Sequence, residues 1–582
     1  MKPFMFFALV PTLALTVLAQ SHRTRTYCNP LDIDYRYDTY TKEGPGGYRS
    51  GADPVIVRQR GAYYLFVTNS GGWWRSKDLG NWEFTKPSQW PEDDICAPAV
   101  VTVRDTLYIF PSTYEFRPVY CTTTPWNGNL AEFTHALPPL KGALGPWDPD
   151  IFHDEKTDRW FMYFGSSNTY PIYGVELDHA RKLAYVNEAK PLILLDPSVH
   201  GWERFGRDHR DTLTPYVEGA WMTKHKGRYY LQYAAPGTEY NVYANGTYVG
   251  DDPLGPFTYA PYNPVSYKPG GFVTGAGHGN TFLDGFGNYW NTGTPWIGVN
   301  HKFERRVAMF PAAFDDDGQF HADTRFGDFP HYLPSRKTTR QGELFAGWML
   351  LSYHKPCSAS SVCDTFAATL ATDENPRTFW VADTNRRGEW LTVDLRHVCA
   401  VRAVQVNFAD YRSDLHENDS TMVTLFRISA SRDHRHWRRI AEVTRPRRDR
   451  PCAYVELPAP HKARYIRYEH LYTRSPHLAI SEIRVFGRGP GRRPATPLHL
   501  NVRRDRDARN AVVSWKAVPG VVGYNILWGI HPEKLYQTYQ VFADQEKMLE
   551  VRALNADQDY FFAIEAFNER GVSRPTPPVH CP

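Results

Sequence analysis

Residues 214–235 read TPYVEGAWMTKHKGRYYLQYAA. One carboxylate, Glu218, heads a short apolar segment, a Lys226-Gly227 turn follows, and then comes an aromatic strand in which Tyr229, Leu231 and Tyr233 share one face by two-residue alternation. This is a hairpin with an acid at its tip. Two other stretches repeat the design: Asp53 heads ADPVIVRQRGAYYLFVT, with Tyr63 and Tyr64 in its second strand, and Asp148 heads WDPDIFHDEKTDRWFMYFGSS, with Trp160 and Phe161. Repeats of roughly 40 to 60 residues made of strands and turns read as blades of a β-propeller, whose innermost strands line a common axis. Three carboxylates are thereby expected to hold one structural position and to converge on one funnel. Five blades are expected: from Gly51, from about Ile95 to Phe133, from Trp147, from Thr214 to Pro261, and from Gly275 to near Pro334.

The remainder of the chain suits an elaborate exported protein. Its 582 residues exceed what one core usually holds. Aromatic residues make up 15% and Gly and Pro are frequent, which favours short strands and many turns. A net charge of +4 on this length gives no strong field and excludes nucleic acid as the natural partner; a neutral polar ligand suits it better. Lys2, the apolar run Phe4 to Leu18 and the small residues around Ala19 read as a cleavable secretory signal over 1–19, so the mature protein is expected in the periplasm or outside the cell. No later stretch is apolar enough for a membrane span. The eight cysteines of an exported chain are expected to pair within domains, with Cys357–Cys363, Cys96–Cys121 and Cys399–Cys452 the natural combinations.

Asp53 in ADP, Asp148 in WDP, Glu218 in EGAW, SKDLGNW at Ser76 and GAGHG at Gly275, taken together in this order, resemble glycoside hydrolase family 43, the five-bladed propeller glycosidases. The resemblance covers roughly 27–335 and implies that Asp53 is the general base, Asp148 the residue that tunes and orients, and Glu218 the general acid. Asp150, two residues beyond Asp148 on the same strand face, is its rival, and Glu203 and Glu239 are neighbouring acids with a weaker claim. The chemistry asks for such a set. Inverting hydrolysis needs one ionised carboxylate to take a proton from water and one protonated acid for the leaving oxygen, about 6.5 to 9.5 Å apart. A neighbouring negative charge or burial must hold the second proton, and Asp148 is expected to supply that charge.

His278, in the Gly275–Gly279 turn, is expected near a hydrated cation at the funnel floor, or near the acids themselves. It would meet calcium through water, because calcium prefers oxygen ligands. Of Arg305 and Arg306 one is expected to face the acids, with Arg306 taken as the substrate-binding residue, and the other to face solvent. Trp74, Trp147 and Trp221 are the candidate sugar platforms. Blade two departs from the family pattern, with Cys96-Ala97-Pro98-Ala99 where Trp-Ala-Pro and an acid are common.

Beyond Pro334 the composition turns Arg-rich. ATDEN at Ala371, EWLTVDL at Glu389, the Ser431–Trp437 motif, ARYIR at Ala463 and SEIRVFG at Ser481 resemble a discoidin (coagulation factor 5/8 type C) β-sandwich over 350–487, which implies a carbohydrate-binding-like module with a structural calcium near Ala371–Asn375. The Arg surplus reads as a solvated face. Residues 496–580 are similar to a fibronectin type III sandwich with Trp515, Leu554 and Tyr560 in its core, joined by the exposed linker Gly487–Pro497 and expected to act as a spacer or docking module. The whole is expected to be all-β. The implied activity is an exo-acting, inverting glycosidase that releases single sugars from polysaccharide side chains, an α-L-arabinofuranosidase before a β-D-xylosidase or β-D-galactofuranosidase; an inactive multi-module glycan-binding protein is the reading from another class.

Overall fold

The computed structural model describes residues 25–37, 47–88, 96–112, 118–135, 140, 147–413, 415, 422–545 and 548–582. The expected signal segment lies outside them. Alternating apolar strands and tight turns build five antiparallel sheets in chain order. Their innermost strands are Val55–Gln59, Cys96–Val103, Asp150–Asp154, Glu218–His225 and Thr281–Leu283. The first hairpins of blades one and four close through Arg60-Gly61 and Lys226-Gly227, all four residues with positive φ, the two-residue turn whose twist matches the flanking strands. Blade five is complete within Thr281–Ala322. It is clasped to blade one by Asn280, whose side chain accepts the Ile56 N–H at 2.9 Å and donates to the Ile56 carbonyl at 2.8 Å. Among the described residues the molecule has no α-helix, and no helix is long and apolar enough to cross a membrane.

The second domain is a β-sandwich built on two long strands, Trp390–Phe408 and Cys452–Thr473. Register shifts at Asp394/Cys399 and Val401/Ala403 bend them, so one pair of strands serves both layers around a core of Leu391, Val393, Ile428 and Ile466. Residues 25–37 and 47–50 lie between this sandwich and the propeller, with Tyr27 on the Met309 carbonyl and Tyr37 on Asp410. Arg49 is buried and paired with Asp410 at 2.8 Å and Asp449 at 2.9 Å, and Arg484 is fully buried on Glu374 at 2.8 Å. The Arg-rich character is therefore only partly a solvated face: several guanidinium groups are interdomain ties, while Arg432, Arg435 and Arg438 do face solvent.

The C-terminal sandwich sets Leu498–Arg504, Ala511–Lys516 and Met548–Val551 against a sheet centred on Gly523–Gly529 and Tyr560–Asn568. Trp515, Leu554 and Tyr560 are in its core, as expected. That core does not stop at the domain. It runs on into blades three and four through Trp202, Tyr233 and Phe161, and Arg204 reaches across to Asp507 at 3.0 Å. A module that shares a hydrophobic core with the propeller is not a spacer.

The expected disulfides do not form: all eight cysteines stay as thiols. Cys399 pairs in register with Ala463 in the middle of one ladder and Cys452 with Asn407 at its end, so the two are well apart. Cys96 and Cys121 are separated by an intervening strand, and Cys357 and Cys363 pack against different clusters.

Candidate active site

Each innermost strand enters the funnel through one residue with left-handed backbone: Asp53, Ala97, Asp148, Gly219 and His278, at φ of 53°, 33°, 46°, 62° and 44°. The five are one ring position read five times. Asp53 and Asp148 share it, as the repeats suggest. Glu218 does not; it lies one residue earlier, ahead of a register shift in blade four that matches the one after Cys96 in blade two. Gly219 has to be glycine here, since a Cβ would lie 2.8 Å from the His278 ring.

The ring brings three acids and one imidazole together. His278 Nδ1 is 3.2 Å from Asp53 Oδ1 and 3.9 Å from Asp148 Oδ2, and Asp148, Glu218 and His278 offer donor atoms that all lie within 4.8 Å of one another. Thr68 Oγ1 donates to Asp53 Oδ2 at 2.5 Å, and Thr294 Oγ1 accepts the Asp53 N–H at 2.9 Å. Ser112 Oγ accepts the Asp148 N–H at 2.9 Å. Glu218 is oriented from both sides: Ser166 Oγ donates to Oε2 at 2.9 Å and the Tyr243 hydroxyl to Oε1.

The arginine that faces the acids is Arg305, with Nη1 at 3.5 Å from Asp53 Oδ1 and 3.2 Å from Thr238 Oγ1. Arg306 is buried behind it and donates to the Arg49 and Arg305 carbonyls, so it is neither a sugar ligand nor solvent-facing. The two neighbours precede the strand Ala308–Phe314 and their side chains leave the backbone toward different partners.

These surroundings split the carboxylates electrostatically. Burial alone would raise the Asp53 pKa, but Arg305, His278 and the Thr68 hydrogen bond outweigh it and hold that carboxyl below the ordinary aspartate value. Asp148 has no such cation of its own. Burial first, then the charges of Glu218 and Asp53, carry it up to about 7 against the opposing pull of His278. His278 goes up despite its burial, because Asp53, Asp148 and Glu218 surround it. Asp53 is therefore an anion at neutral pH, while Asp148 still carries its proton part of the time there. Asp150, the rival, points away: it accepts the Met222 N–H at 2.7 Å between blades three and four, where burial raises it to about 8. Glu203 is fully buried against Tyr233, outside the funnel.

The tryptophans fare less well as platforms. Trp74 is fully buried, with Nε1 on Asp34 at 2.5 Å and its ring against Phe84. Trp221 Nε1 donates to the Thr281 carbonyl at 2.9 Å and its ring packs with the blade one and two core, so it plugs the channel beneath the acids. Trp147 is half-buried, with its carbonyl fixed by Gly165. Sequence reading missed Thr68, Ser112, Ser166 and Tyr243. The first three lie at or just beyond the ends of second strands, at Phe66, Ser112 and Phe164, a recurrence visible beside the acids.

Calcium suits the two expected places unequally. In the funnel two carboxylates and one imidazole fall short of six to eight oxygens, and each oxygen partner is already in use by a hydroxyl or a cation. In the second domain Asp373, Glu374 and Glu482 crowd together and burial raises all three, while only Glu374 has the Arg484 guanidinium. Glu482 Oε1 is buried without a hydrogen-bond partner, which fits an ion held by Asp373 and Glu482. Such an ion would fix the loop.

A propeller funnel that gathers three carboxyls, one held ionised and one with a raised pKa, has the groups that glycoside hydrolysis needs. Residues 47–320 match the model of glycosyl hydrolases family 43 and residues 356–483 that of the F5/8 type C domain. The propeller is a family 43 glycosidase domain, and the sandwich that follows is an F5/8 type C domain. None of the curated proteins matches the chain. Similar solved structures include a glycoside hydrolase at 20% identity, covering 76% of this chain and 98% of its own, with a TM-score of 0.45. Others are an endo-1,4-beta-xylanase from Bacteroides thetaiotaomicron VPI-5482 at 22% identity, 48% and 96% coverage and TM-score 0.39, and a mutant of the GH43 protein BlXynB from Bacillus licheniformis at 14%, 94% and 98%, and 0.40.

Proposed function

We propose that the funnel is an exo-acting, inverting glycosidase site in which Asp53 activates water, Glu218 protonates the leaving oxygen, and Asp148 keeps that proton available. The observation that carries this is the split between the two aspartates: Arg305 and His278 outweigh burial and favour the charged form of Asp53, whereas at Asp148 burial and the charges of Glu218 and Asp53 outweigh His278. The family resemblance favours an α-L-arabinofuranosyl unit from a polysaccharide side chain; the apolar run Phe4 to Leu18 favours export to the periplasm or beyond. We read the C-terminal sandwich as fibronectin type III-like.

Wild type, Glu218→Gln and Asp53→Asn are to be assayed on aryl α-L-arabinofuranoside, β-D-xylopyranoside and β-D-galactofuranoside and on a natural disaccharide, with the product anomer followed by NMR. The expected result is turnover of the arabinofuranoside by wild type, an inverted product, and a loss of about two or more powers of ten in each variant on the disaccharide. A retained anomer, or variants as active as wild type, removes the assignment. Turnover of a different glycoside moves the specificity, and binding without turnover of any glycoside restores the glycan-binding reading.

A further inference from the structure

Arg305 is held against Asp53 by a loop that a different domain clamps. The segment from Trp296 to Glu304 leaves blade five and returns at Arg305, with Trp296 bridged to Arg305 and the Ile297 N–H donating to the Glu304 carbonyl at 2.9 Å. The loop is stiffened from inside. Glu304 is buried and its carboxylate accepts the Val299 and Asn300 N–H groups at 2.9 and 2.8 Å, while Trp296 Nε1 donates to the Lys302 carbonyl at 3.0 Å. The Arg305 stem is tied to this loop through Nε on the Phe303 carbonyl at 3.3 Å.

The other side of the loop is covered by Arg377 of the F5/8 type C domain. Its guanidinium carbon lies 4.1 Å from the centre of the Trp296 ring, and its Nε donates to the Ile297 carbonyl at 3.1 Å. A stacked guanidinium with one directed hydrogen bond fixes both the plane of the indole and the height of the loop. Arg377 is itself on a rigid turn, where Asp373 accepts from Thr378 Oγ1 at 2.7 Å and the Arg377 N–H donates to Asn375 Oδ1 at 3.2 Å. No domain boundary separates Arg377 mechanically from Arg305.

We propose that Arg377 is a positioning residue of the glycosidase site, acting from the F5/8 type C domain through the Trp296–Glu304 loop to hold Arg305 on Asp53. This rests on the reading of Asp53 as the base. The second domain is then part of the catalytic centre as well as a module beside it. A displacement of about 1 Å in a positioning group is enough to cost up to a hundredfold in rate, so a clamp this remote has a measurable effect.

The test compares kcat and KM on the natural disaccharide for full-length wild type, Arg377→Ala, Arg377→Lys, Arg305→Ala and the Arg305→Ala/Arg377→Ala double variant, with a melting curve for each. Arg377→Ala is expected to lower kcat about tenfold with KM changed less than about threefold. Arg377→Lys, which keeps a cation over the indole but loses the planar stack and the hydrogen bond to Ile297, recovers only part of the loss, and the double variant is no slower than Arg305→Ala because both changes act on one group. Wild-type kcat in Arg377→Ala overturns the proposal, as do additive losses in the double variant, or a loss in Arg377→Ala that tracks a collapse in melting temperature and is not rescued by lysine. Asp53→Asn, run alongside, separates the two failures: if it is inactive while Arg377→Ala is fully active, only the clamp is wrong, and if it is fully active the reading of the site fails and the clamp with it.

Discussion

Asp148 is held in a form that water would not favour, and this has two consequences that can be measured apart. With a folded pKa of about 7 against an ordinary aspartate value of 3.8, the folded protein binds more protons than the unfolded chain between those limits, so this group's contribution to stability falls as pH rises through that window. Asp148→Asn removes the buried charge. It is expected to melt a few degrees above wild type at pH 8, to match wild type near pH 4, and to be strongly impaired in turnover at both; equal melting temperatures at pH 8 would show that the carboxyl carries no such burden. For wild type the same titration sets the basic limb of kcat/KM near pH 7, where Asp148 loses its proton, while the acidic limb lies below pH 4, where Asp53 is finally protonated. A pH–rate profile flat from 6 to 9 contradicts the Asp148 assignment, and an acidic limb well above pH 4 contradicts that of Asp53. The three acids were legible in the sequence because each heads a strand. Arg305 was not distinguishable from Arg306, because they lie side by side ahead of the strand Ala308–Phe314 and the side each takes is set by distant partners, an isolated bridge from Arg305 to Trp296 and the Arg49 carbonyl that Arg306 reaches. Tyr243 was illegible for a different reason: it reaches Glu218 from an irregular turn ahead of the third strand of its blade, where no periodicity applies.

The hairpins were the most legible elements. Apolar alternation and a Lys-Gly or Arg-Gly turn state the strand and its return in a dozen residues, and blade count followed. What alternation does not encode is the left-handed residue at each strand's entry. In blades one and three that residue is the acid itself, whereas in blade four it is Gly219 and Glu218 comes from one position earlier, ahead of the register shift. Gly219→Ala tests that geometry directly. The new Cβ meets the His278 ring 2.8 Å away on a backbone at φ +62°, so the imidazole must move off Asp53 and Asp148. A loss of at least tenfold in kcat is expected, with global stability lowered by about 1 kcal/mol or somewhat more. Unchanged kinetics would mean that His278 is not a fixed partner of the acids. The loop at Asp373 belongs to the same level of description, since Asp373 and Glu482 place buried negative charge there. Adding calcium to chelator-treated protein is expected to raise the melting temperature in a concentration-dependent way, and Glu482→Gln to reduce that response; a melting curve indifferent to calcium removes the site.

Domain identity was readable from short motifs, but domain assembly was not. Nothing in the periodicity of residues 496–580 distinguishes a strand face that meets solvent from one that meets blade four; both are apolar at alternate positions. The continuous core around Trp202 makes the difference. Truncation after residue 495 is expected to give aggregated or partly unfolded protein, since it uncovers Trp202, Tyr233 and their neighbours, and Trp202→Ala to cost about 3–5 kcal/mol. A truncated chain that stays monomeric and fully active would show that the shared core is dispensable. The joint between the sandwiches is different in kind. Arg488 and Arg492 are exposed on a Gly- and Pro-rich connector, while the surfaces it joins to the propeller are buried. A nick by trypsin there severs the peptide without touching what holds the pieces together, so the two fragments should elute as a single species in gel filtration and hydrolyse glycosides as a non-covalent pair.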